Sequence, residues 1–233
     1  FCRCCAERFL GPRKGPGEVL YNPVDTKVFM PPPESSTEVE SPVLLVAGSH
    51  HEGYRVRVAM DALALVRGHG VNARLRVAGR LVWSQNAEAE ARCWVREAGL
   101  ENVVDFSDPY SQAEAPALFQ GAHALIHAKV QDPCPRLVVE AMACGLPVVY
   151  SATGGLPELV GSEAGVGIPG KEDFEVLHPP SAEAVAEAIL NLLANRGTLA
   201  RQARGRVLRL FSAEAWVKAH ARLFQALVQR GGK

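Results

Sequence analysis

The chain has 233 residues, of which 48% are hydrophobic and 21% are charged, as in a soluble globular protein and unlike a disordered or fibrous one. Lys plus Arg and Asp plus Glu both number 25, so the formal net charge is zero. A nucleic-acid partner gains no support, because binding to the phosphate backbone normally needs a basic surface. No apolar run reaches the ~18 residues of a membrane-spanning helix, and the first residues do not match a secretory leader.

The six cysteines do not have the spacing of a disulfide framework. Cys2, Cys4 and Cys5 cluster at the start of the chain, but a tetrahedral zinc site needs a second ligand pair. We therefore interpret them as reduced thiols on a helix. Reduced thiols predict a cytoplasmic location, with or without peripheral attachment to the inner face of the membrane. Because the chain begins at Phe1 without Met, we expect a fragment of a longer protein.

From residue 41 onward, short apolar runs alternate with longer stretches whose apolar residues recur every three to four positions. The runs predict strands at 41–47, 73–78, 103–106, 122–128, 147–150 and 166–168. The stretches between them predict helices at 54–67, 86–98, 113–121 and 135–144. Strands that are apolar throughout and joined by helices indicate a parallel sheet covered on both faces. The sequence therefore predicts an α/β fold with a Rossmann-like, doubly wound sheet, which binds ligands at the carboxyl ends of its strands.

Two segments flank this alternation. Residues 31–41 are rich in Pro, Ser and Glu and predict a linker or surface loop. Residues 170–180 look irregular, and an amphipathic helix with Ser181 as its N-cap follows at 181–195. A last helix is predicted at 212–230.

The most informative stretch is 128–158, AKVQDPCPRLVVEAMACGLPVVYSATGGLPE. We expect Asp132 to cap a short helix whose first turn holds Pro135, and Gly145 to end it. Such a helix would direct its N-terminus towards the carboxyl ends of the strands.

A helix N-terminus at this place predicts an anion site. The free backbone N–H groups of Arg136 and Leu137 carry partial positive charge, and the side chains of Arg136 and Lys129 add full charges, so a diphosphate could be held without a metal. Many α/β domains have a capped helix after a strand and no ligand there. The residues alone therefore leave a purely structural helix as an equal alternative.

The same stretch resembles the signature of glycosyltransferase family four. Asp132 and Glu140 lie eight positions apart, and AMACGLPVV, Gly154-Gly155 and a Pro-Glu pair at 157–158 follow. In that family the first acidic residue, usually Glu, contacts the donor sugar, and the second binds the ribose hydroxyls. The resemblance thus implies a catalytic role for Asp132 and donor-binding roles for Ser49, Arg55, Lys129, Cys134, Arg136, Leu137, Glu140, Gly154 and Gly155.

One departure from the family concerns the loop after the first strand. The family commonly places an Arg just after the glycine that ends this strand and a Lys one turn later, both on the donor diphosphate. This chain has Ser49 where the Arg is expected, and only Arg55 or Arg57 can stand in for the Lys. Phosphate binding is then expected to depend on the helix N-terminus, Arg136 and Arg55.

The resemblance covers roughly the whole chain, since 19–29 (VLYNPVDTKVF) and 73–81 (ARLRVAGRL) are also similar to the family. It implies the C-terminal half of a GT-B glycosyltransferase. The segments would be 1–40, a lead-in and linker from a missing acceptor domain; 41–211, the nucleotide-sugar-binding domain; and 212–233, a C-terminal helix. The implied activity is retaining transfer of a sugar from a nucleotide-diphosphate donor to a saccharide, lipid or small-molecule acceptor. No cofactor or metal is expected.

Other polar and aromatic residues leave alternatives open. His50 and His51 have no further ligands at metal spacing, so a polar loop beside the donor is favoured over a metal site. His127 is either a packed core histidine or a polar contact to the sugar. The tryptophans are interpreted as packing residues: Trp83, Trp94 and Trp216.

Two rival functions remain. Another GT-B enzyme, such as a nucleotide-sugar epimerase or a phosphorylase, would share the domain; a phosphorylase needs a pyridoxal-phosphate lysine, and few lysines lie in suitable loops. A non-catalytic nucleotide-binding module is favoured slightly by Ser49 and Asp132. Glu140 and the Gly154-Gly155 loop argue against it.

Overall fold

The protein is described from a computed structural model that covers residues 1–13, 18–33 and 40–231. Of the predicted linker at 31–41, residues 34–39 lie outside the described residues. Each of the six predicted strands is present, and together they form one parallel sheet in the order β3-β2-β1-β4-β5-β6. The strands are β1 (Val43–Ala47), β2 (Arg74–Ala78), β3 (Val104–Ser107), β4 (Ala124–His127), β5 (Val148–Ser151) and β6 (Gly165–Ile168).

Helices connect the strands and cover both faces of the sheet, as the continuous apolar strand sequences require. They are α1 (Cys2–Leu10), α2 (Tyr54–Gly68), α3 (Ala87–Glu97), α4 (Ala115–Gln120), α5 (Arg136–Ala143), α6 (Leu156–Val160), α7 (Ala182–Ala194), α8 (Arg196–Leu210) and α9 (Ala213–Gly231). The predicted Rossmann-like, doubly wound α/β fold is confirmed. None of the helices in the described ranges is long and apolar enough to span a membrane.

Alternate residues of β1 show how the two core layers form. Leu44 and Val46 pack into the layer that contains α2, α3 and α7. Leu45 and Ala47 pack into the layer that contains α4, α5, α6 and most of α8. Because side chains alternate between the faces of a strand, a run that is apolar throughout feeds both layers.

The helix α8 was not predicted from the sequence. Its buried residues, Leu199, Ala203 and Val207, form a stripe only one residue wide among many arginines. Part of its attachment is polar instead, since Arg204 donates from Nη1 to the carbonyl oxygens of Phe29 (2.7 Å) and Ala143 (2.8 Å). The five-residue α6 was also not predicted.

The segment before the sheet packs against the C-terminal end of α8, at Phe211. The Val24 N–H donates to the Phe211 carbonyl at 2.8 Å, and the Tyr21 and Phe211 rings meet edge to face with centroids 5.1 Å apart. The expected domain limits at residues 40 and 211 stay predictions. The irregular stretch predicted at 170–180 has no helix or strand, and Ser181 caps α7 by accepting from the Ala184 N–H at 3.2 Å.

Candidate functional site

The crevice predicted from the topology lies between β1 and β4. These two strands are neighbours although β2 and β3 intervene in the sequence, so the chain leaves them towards opposite sides of the sheet. In open parallel sheets this switch point is where ligands bind. The loops after β1 and β4, together with the helices α2 and α5 that follow them, carry eight of the ten residues that the sequence predicts for the site.

Asp132 follows β4 and is only 9% exposed. Its Oδ2 lies 3.1 Å from His127 Nε2 and 3.6 Å from Lys129 Nζ. The prediction that Asp132 caps α5 is wrong, since Pro135 is the N-cap residue and no side chain caps the helix. The physical reason is that the carboxylate is directed to His127 and Lys129 instead.

The protonation states of this pair follow from burial and contact. Burial alone would raise the pKa of Asp132, but the hydrogen bond with His127 and the nearby cations outweigh it, and the pKa lies below its usual value. Burial lowers the pKa of His127. An ionised carboxylate only accepts hydrogen bonds, so a neutral His127 donates from Nε2. Its Nδ1 is then an acceptor.

The N-terminus of α5 offers free donors to the crevice. Within the described part of the chain, the backbone N–H groups of Arg136 and Leu137 have no hydrogen-bond acceptor, as expected for the first turn of a helix. The predicted end of the helix is confirmed, because Gly145 follows it with a φ of 74°. The Arg136 side chain is 67% exposed, and its Nη2 lies 3.3 Å from Glu140 Oε1.

Glu140 lies one turn further along α5 and is 7% exposed. Its Oε1 accepts a hydrogen bond from Gln112 Nε2 at 2.9 Å, in addition to the contact with Arg136. A buried carboxylate in this apolar stretch needs hydrogen-bond partners, and Gln112 and Arg136 supply two of them. The pKa of the nearby Tyr110 is raised mainly by burial and, to a smaller extent, by the negative charge of Glu140.

Two arginines at the start of α2, Arg55 and Arg57, could stand in for the family's lysine, and their contacts differ. Arg55 is 5% exposed, with Nη1 3.4 Å from the Ser49 carbonyl oxygen and 3.7 Å from Glu52 Oε2. Arg57 instead contacts Asp61 at 3.1 Å and lies over the ring of Trp94. Arg55 is therefore the arginine that lies against the loop after β1.

Three buried nitrogen atoms around this crevice have no partner among the described residues: His50 Nδ1, Arg55 Nε and His127 Nδ1. His50 follows Ser49 and contacts the Ala78 carbonyl through Nε2 at 3.2 Å. Burial, and then the charge of Arg55, lower the pKa of His50 to about 4. Buried polar atoms are nearly always hydrogen-bonded, so three unpaired ones close together mark this crevice as a candidate functional site.

Gly154 and Gly155 allow two loops to meet. A Cβ atom at Gly155 would lie 1.9 Å from the Pro133 carbonyl oxygen, and one at Gly154 would lie 2.6 Å from the Asp132 carbonyl oxygen. The Gly155 N–H donates to that Asp132 oxygen at 2.9 Å. The two glycines therefore hold the loop that carries Asp132, and their predicted contact with the donor stays a prediction.

The remaining predicted residues lie close by. Cys134 is half-buried, which raises the pKa of its thiol, and it lines a small cavity with Arg136 and Glu140. The side chain of Leu137 lies against Gly48, the glycine that ends β1. Across the residues that the structure describes, no three His, Cys, Asp or Glu side chains are grouped so as to hold a metal ion.

Sequence reasoning missed several partners of the site loops. The Tyr54 hydroxyl accepts from the Val130 N–H at 3.1 Å, and Glu172 Oε1 accepts from the Gly154 N–H at 3.1 Å. Gln112 was also missed, because no local pattern links it to Glu140. The signal that the sequence offered was the polar character of these residues, which lie in the loops that follow strands or, for Tyr54, at the start of a helix.

Comparison with known proteins agrees with this geometry. The model of the family described as "Glycosyl transferases group 1" matches residues 32–206. Among curated proteins, the D-inositol 3-phosphate glycosyltransferase of Pseudarthrobacter chlorophenolicus is 32% identical over 119 residues, which are 50% of this chain and 28% of that protein. The chain thus matches well under two thirds of that relative's length.

Two solved structures share the fold. Anabaena HepE in complex with UDP-glucose superposes with a TM-score of 0.70 at 21% identity, covering 90% of this chain and 57% of that chain. The C-terminal domain of a group 1 glycosyl transferase, LpcC from Francisella tularensis, superposes with a TM-score of 0.67 at 17% identity, covering 82% of this chain and 99% of that chain.

Proposed function

The chain belongs to the group 1 glycosyl transferases, and on this premise we propose that it is the donor-binding half of a retaining glycosyltransferase of family four. In this proposal it binds a nucleotide-diphosphate sugar in the crevice between β1 and β4. The acceptor, a saccharide, lipid or small molecule, binds to another domain of the whole protein. The proposed place of action is the cytoplasm, with or without attachment to the inner membrane face.

The observation that carries the proposal is the arrangement along the start of α5. Two buried carboxylates, Asp132 and Glu140, lie on either side of the free backbone N–H groups of Arg136 and Leu137. Carboxylates accept hydrogen bonds from hydroxyl groups, whereas free helix N–H groups bind phosphate oxygens. A sugar, a diphosphate and a ribose presented in that order match the three kinds of group.

Each residue then has a separate task. Arg55 and the α5 amides stabilise the charge that develops on the leaving diphosphate, with Arg136 swinging from Glu140 to add a second cation. Asp132, held by His127 and Lys129, accepts from a hydroxyl of the donor sugar. Glu140 accepts from the ribose hydroxyls. No protein base is assigned, because the leaving diphosphate takes the proton of the acceptor hydroxyl.

Neutralisation of the diphosphate by protein groups means that no metal ion or other cofactor is required. The donor-half role is supported by LpcC, whose C-terminal domain is matched by this chain almost from end to end. The nucleotide-sugar donor is supported by the UDP-glucose complex of HepE, which has the same fold.

Calorimetry tests the proposal directly. The chain is titrated with UDP, GDP and ADP, and with their glucose and mannose derivatives, in the presence of EDTA. We expect at least one of these ligands to bind, with the nucleotide sugar binding more tightly than the diphosphate. If no member binds to protein that circular dichroism shows to be folded, the proposed function is wrong.

A further inference from the structure

A tryptophan on the loop after β2 packs against the beginning of α2. A Cβ atom at Gly53 would lie 3.2 Å from three ring atoms of Trp83, so the indole rests directly on this glycine. Gly53 is the N-cap residue of α2, and its carbonyl accepts from the Arg57 N–H at 3.0 Å. The ring thus contacts the residue from which the helix begins, two positions before Arg55.

Backbone contacts join the same two loops at their other end. The His50 N–H donates to the Arg80 carbonyl at 2.8 Å, and the Val82 N–H donates to the His50 carbonyl at 3.0 Å. A Cβ atom at Gly79 would lie 2.1 Å from the Gly48 carbonyl oxygen, so only glycine fits there. The loop after β2 is therefore fixed against the loop after β1 before it reaches Trp83.

Trp83 is itself held firmly. Its ring stacks on that of Trp94, with centroids 5.5 Å apart and an interplanar angle of 10°. Its Nε1 donates to Glu90 at 2.8 Å. A ring fixed on two sides is a suitable support, because supporting groups must be locked before they can position a binding residue.

We propose that Trp83 is a positioning residue of the donor site, which acts by holding Gly53 and the start of α2 so that the guanidinium of Arg55 faces the diphosphate. The inference rests on the proposed function, because the diphosphate is the ligand of that site. Trp83 does not touch the ligand in this proposal. It acts through the backbone of the loop after β1.

The conformation of Gly53 makes the contact testable. Its φ of −62° and ψ of −28° lie in the right-handed helical region, where alanine is unstrained. The three atoms that the methyl group of Gly53→Ala would meet first all belong to the Trp83 ring. We expect Gly53→Ala to weaken diphosphate binding in the wild-type background and to have little further effect once Trp83→Leu has made room for the methyl group.

The experiment measures the Kd of the diphosphate that binds best among UDP, GDP and ADP, and of the matching nucleoside. Trp83→Leu should raise the Kd of the diphosphate by about tenfold or more and leave that of the nucleoside unchanged. Trp94→Leu is the comparison variant, since it removes the same ring stack but keeps the contact with Gly53, and it should raise the Kd of the diphosphate much less than Trp83→Leu does. Trp83→Phe keeps a ring on Gly53 and should restore most of the affinity.

The possible results separate the two proposals. If the folded wild-type chain binds none of the nucleotides, the proposed function fails and this inference fails with it. If the wild type binds, three results each overturn the positioning role alone: equal losses in Trp83→Leu and Trp94→Leu, parallel loss of nucleoside affinity, or simple additivity of Gly53→Ala and Trp83→Leu. If Trp83→Leu does not fold, the other two variants test the role through the ratio of diphosphate Kd to nucleoside Kd. The ratio should rise in Gly53→Ala and stay near the wild-type value in Trp83→Phe, and an unchanged ratio in Gly53→Ala would overturn the positioning role.

Discussion

His127 Nε2 lies 3.1 Å from Asp132 Oδ2, with both side chains buried at the end of β4. The imidazole therefore fixes the direction of the Asp132 carboxylate. This side chain is one methylene shorter than the Glu that is usual at this position in glycosyltransferase family four. The second oxygen of the Asp132 carboxylate, Oδ1, has no hydrogen-bond partner among the described residues, and under the proposed function it accepts from a hydroxyl of the donor sugar.

Asp132→Asn tests this role. The amide keeps an oxygen for His127 and removes the charge, so the contact with the sugar should weaken. We expect the nucleotide sugar to lose about 1.5–3 kcal/mol of binding free energy, the range for a hydrogen bond to a charged group. The diphosphate without sugar should bind as before. Calorimetry with both ligands measures the difference, and equal losses would place Asp132 outside the sugar site.

Arg55→Met should weaken binding of the diphosphate by about 1.5–3 kcal/mol, because a charge-assisted hydrogen bond is lost. Methionine retains the apolar part of the buried side chain. Arg57→Met is the control, since Arg57 contacts Asp61 and Trp94 instead. Isothermal titration of both variants with the diphosphate would contradict the assignment if they lost equal affinity.

Glu140→Gln separates a ligand residue from a structural one. Glutamine keeps an oxygen for Gln112, so the melting temperature should change little. The affinity for a ribonucleotide should fall, because the charged acceptor of the ribose hydroxyls is gone. A 2′,3′-dideoxy nucleotide should bind the wild type and the variant about equally weakly. A lower melting temperature with unchanged ribonucleotide affinity would show that Glu140 serves the fold.

The buried His50 predicts a pH dependence of stability. Its pKa in the folded chain is about 4, below the 6.5 of an ordinary histidine, so between these values the unfolded chain binds more protons than the folded one. The free energy of unfolding should therefore fall as the pH is lowered from about 6.5 to about 4. His127, whose pKa is also lowered, acts in the same direction.

Urea denaturation at several pH values measures this slope. His50→Gln keeps a donor for the Ala78 carbonyl and removes the titrating group, so the dependence on pH should become shallower. An unchanged slope would mean that His50 is already exposed to protons in the folded state.

Gly155→Ala should destabilise the fold by about 3 kcal/mol, because the new methyl group would overlap the Pro133 carbonyl and force the loop to move. Backbone strain is not the cause, since Gly155 has a φ of −88°. Gly68→Ala is the control: it lies in a helix with open space around it and should stabilise by up to about 1 kcal/mol. Chemical denaturation of both variants measures the contrast.

The sheet was predictable because its strands are buried on both faces and therefore read as unbroken apolar runs. Each predicted strand overlaps an observed one, with limits displaced by at most two residues. The helix α8 was not predictable in this way. Its buried stripe of Leu199, Ala203 and Val207 is too narrow to give an amphipathic pattern, and Arg204 supplies contacts that no periodicity shows.

The sequence spacing correctly placed Asp132 in the loop before α5 and Glu140 one turn into that helix, while their roles towards a donor stay predictions. The site was not predictable where it depends on contacts between distant loops. Gln131 has a left-handed backbone conformation, with a φ of 56°, and the backbone of its loop packs against Gly154. Neither the conformation nor the packing has a signature in the local sequence. The sequence could not decide between a core role and a polar role for His127, because the turn of the loop that brings Asp132 back to His127 has no signature in the sequence.

The pairing of β1 with β4 has a consequence for the integrity of the molecule. Strands β1 to β3 precede residue 108 and strands β4 to β6 follow residue 123, and the register between β1 and β4 comprises only two residue pairs, against five between β1 and β2. Under the proposed function, a ligand held by Arg55 on one side and by the start of α5 on the other joins these two groups of strands. Such a ligand behaves as a reversible cross-link, so two polypeptides cut between residues 108 and 123 should associate more tightly when it is present.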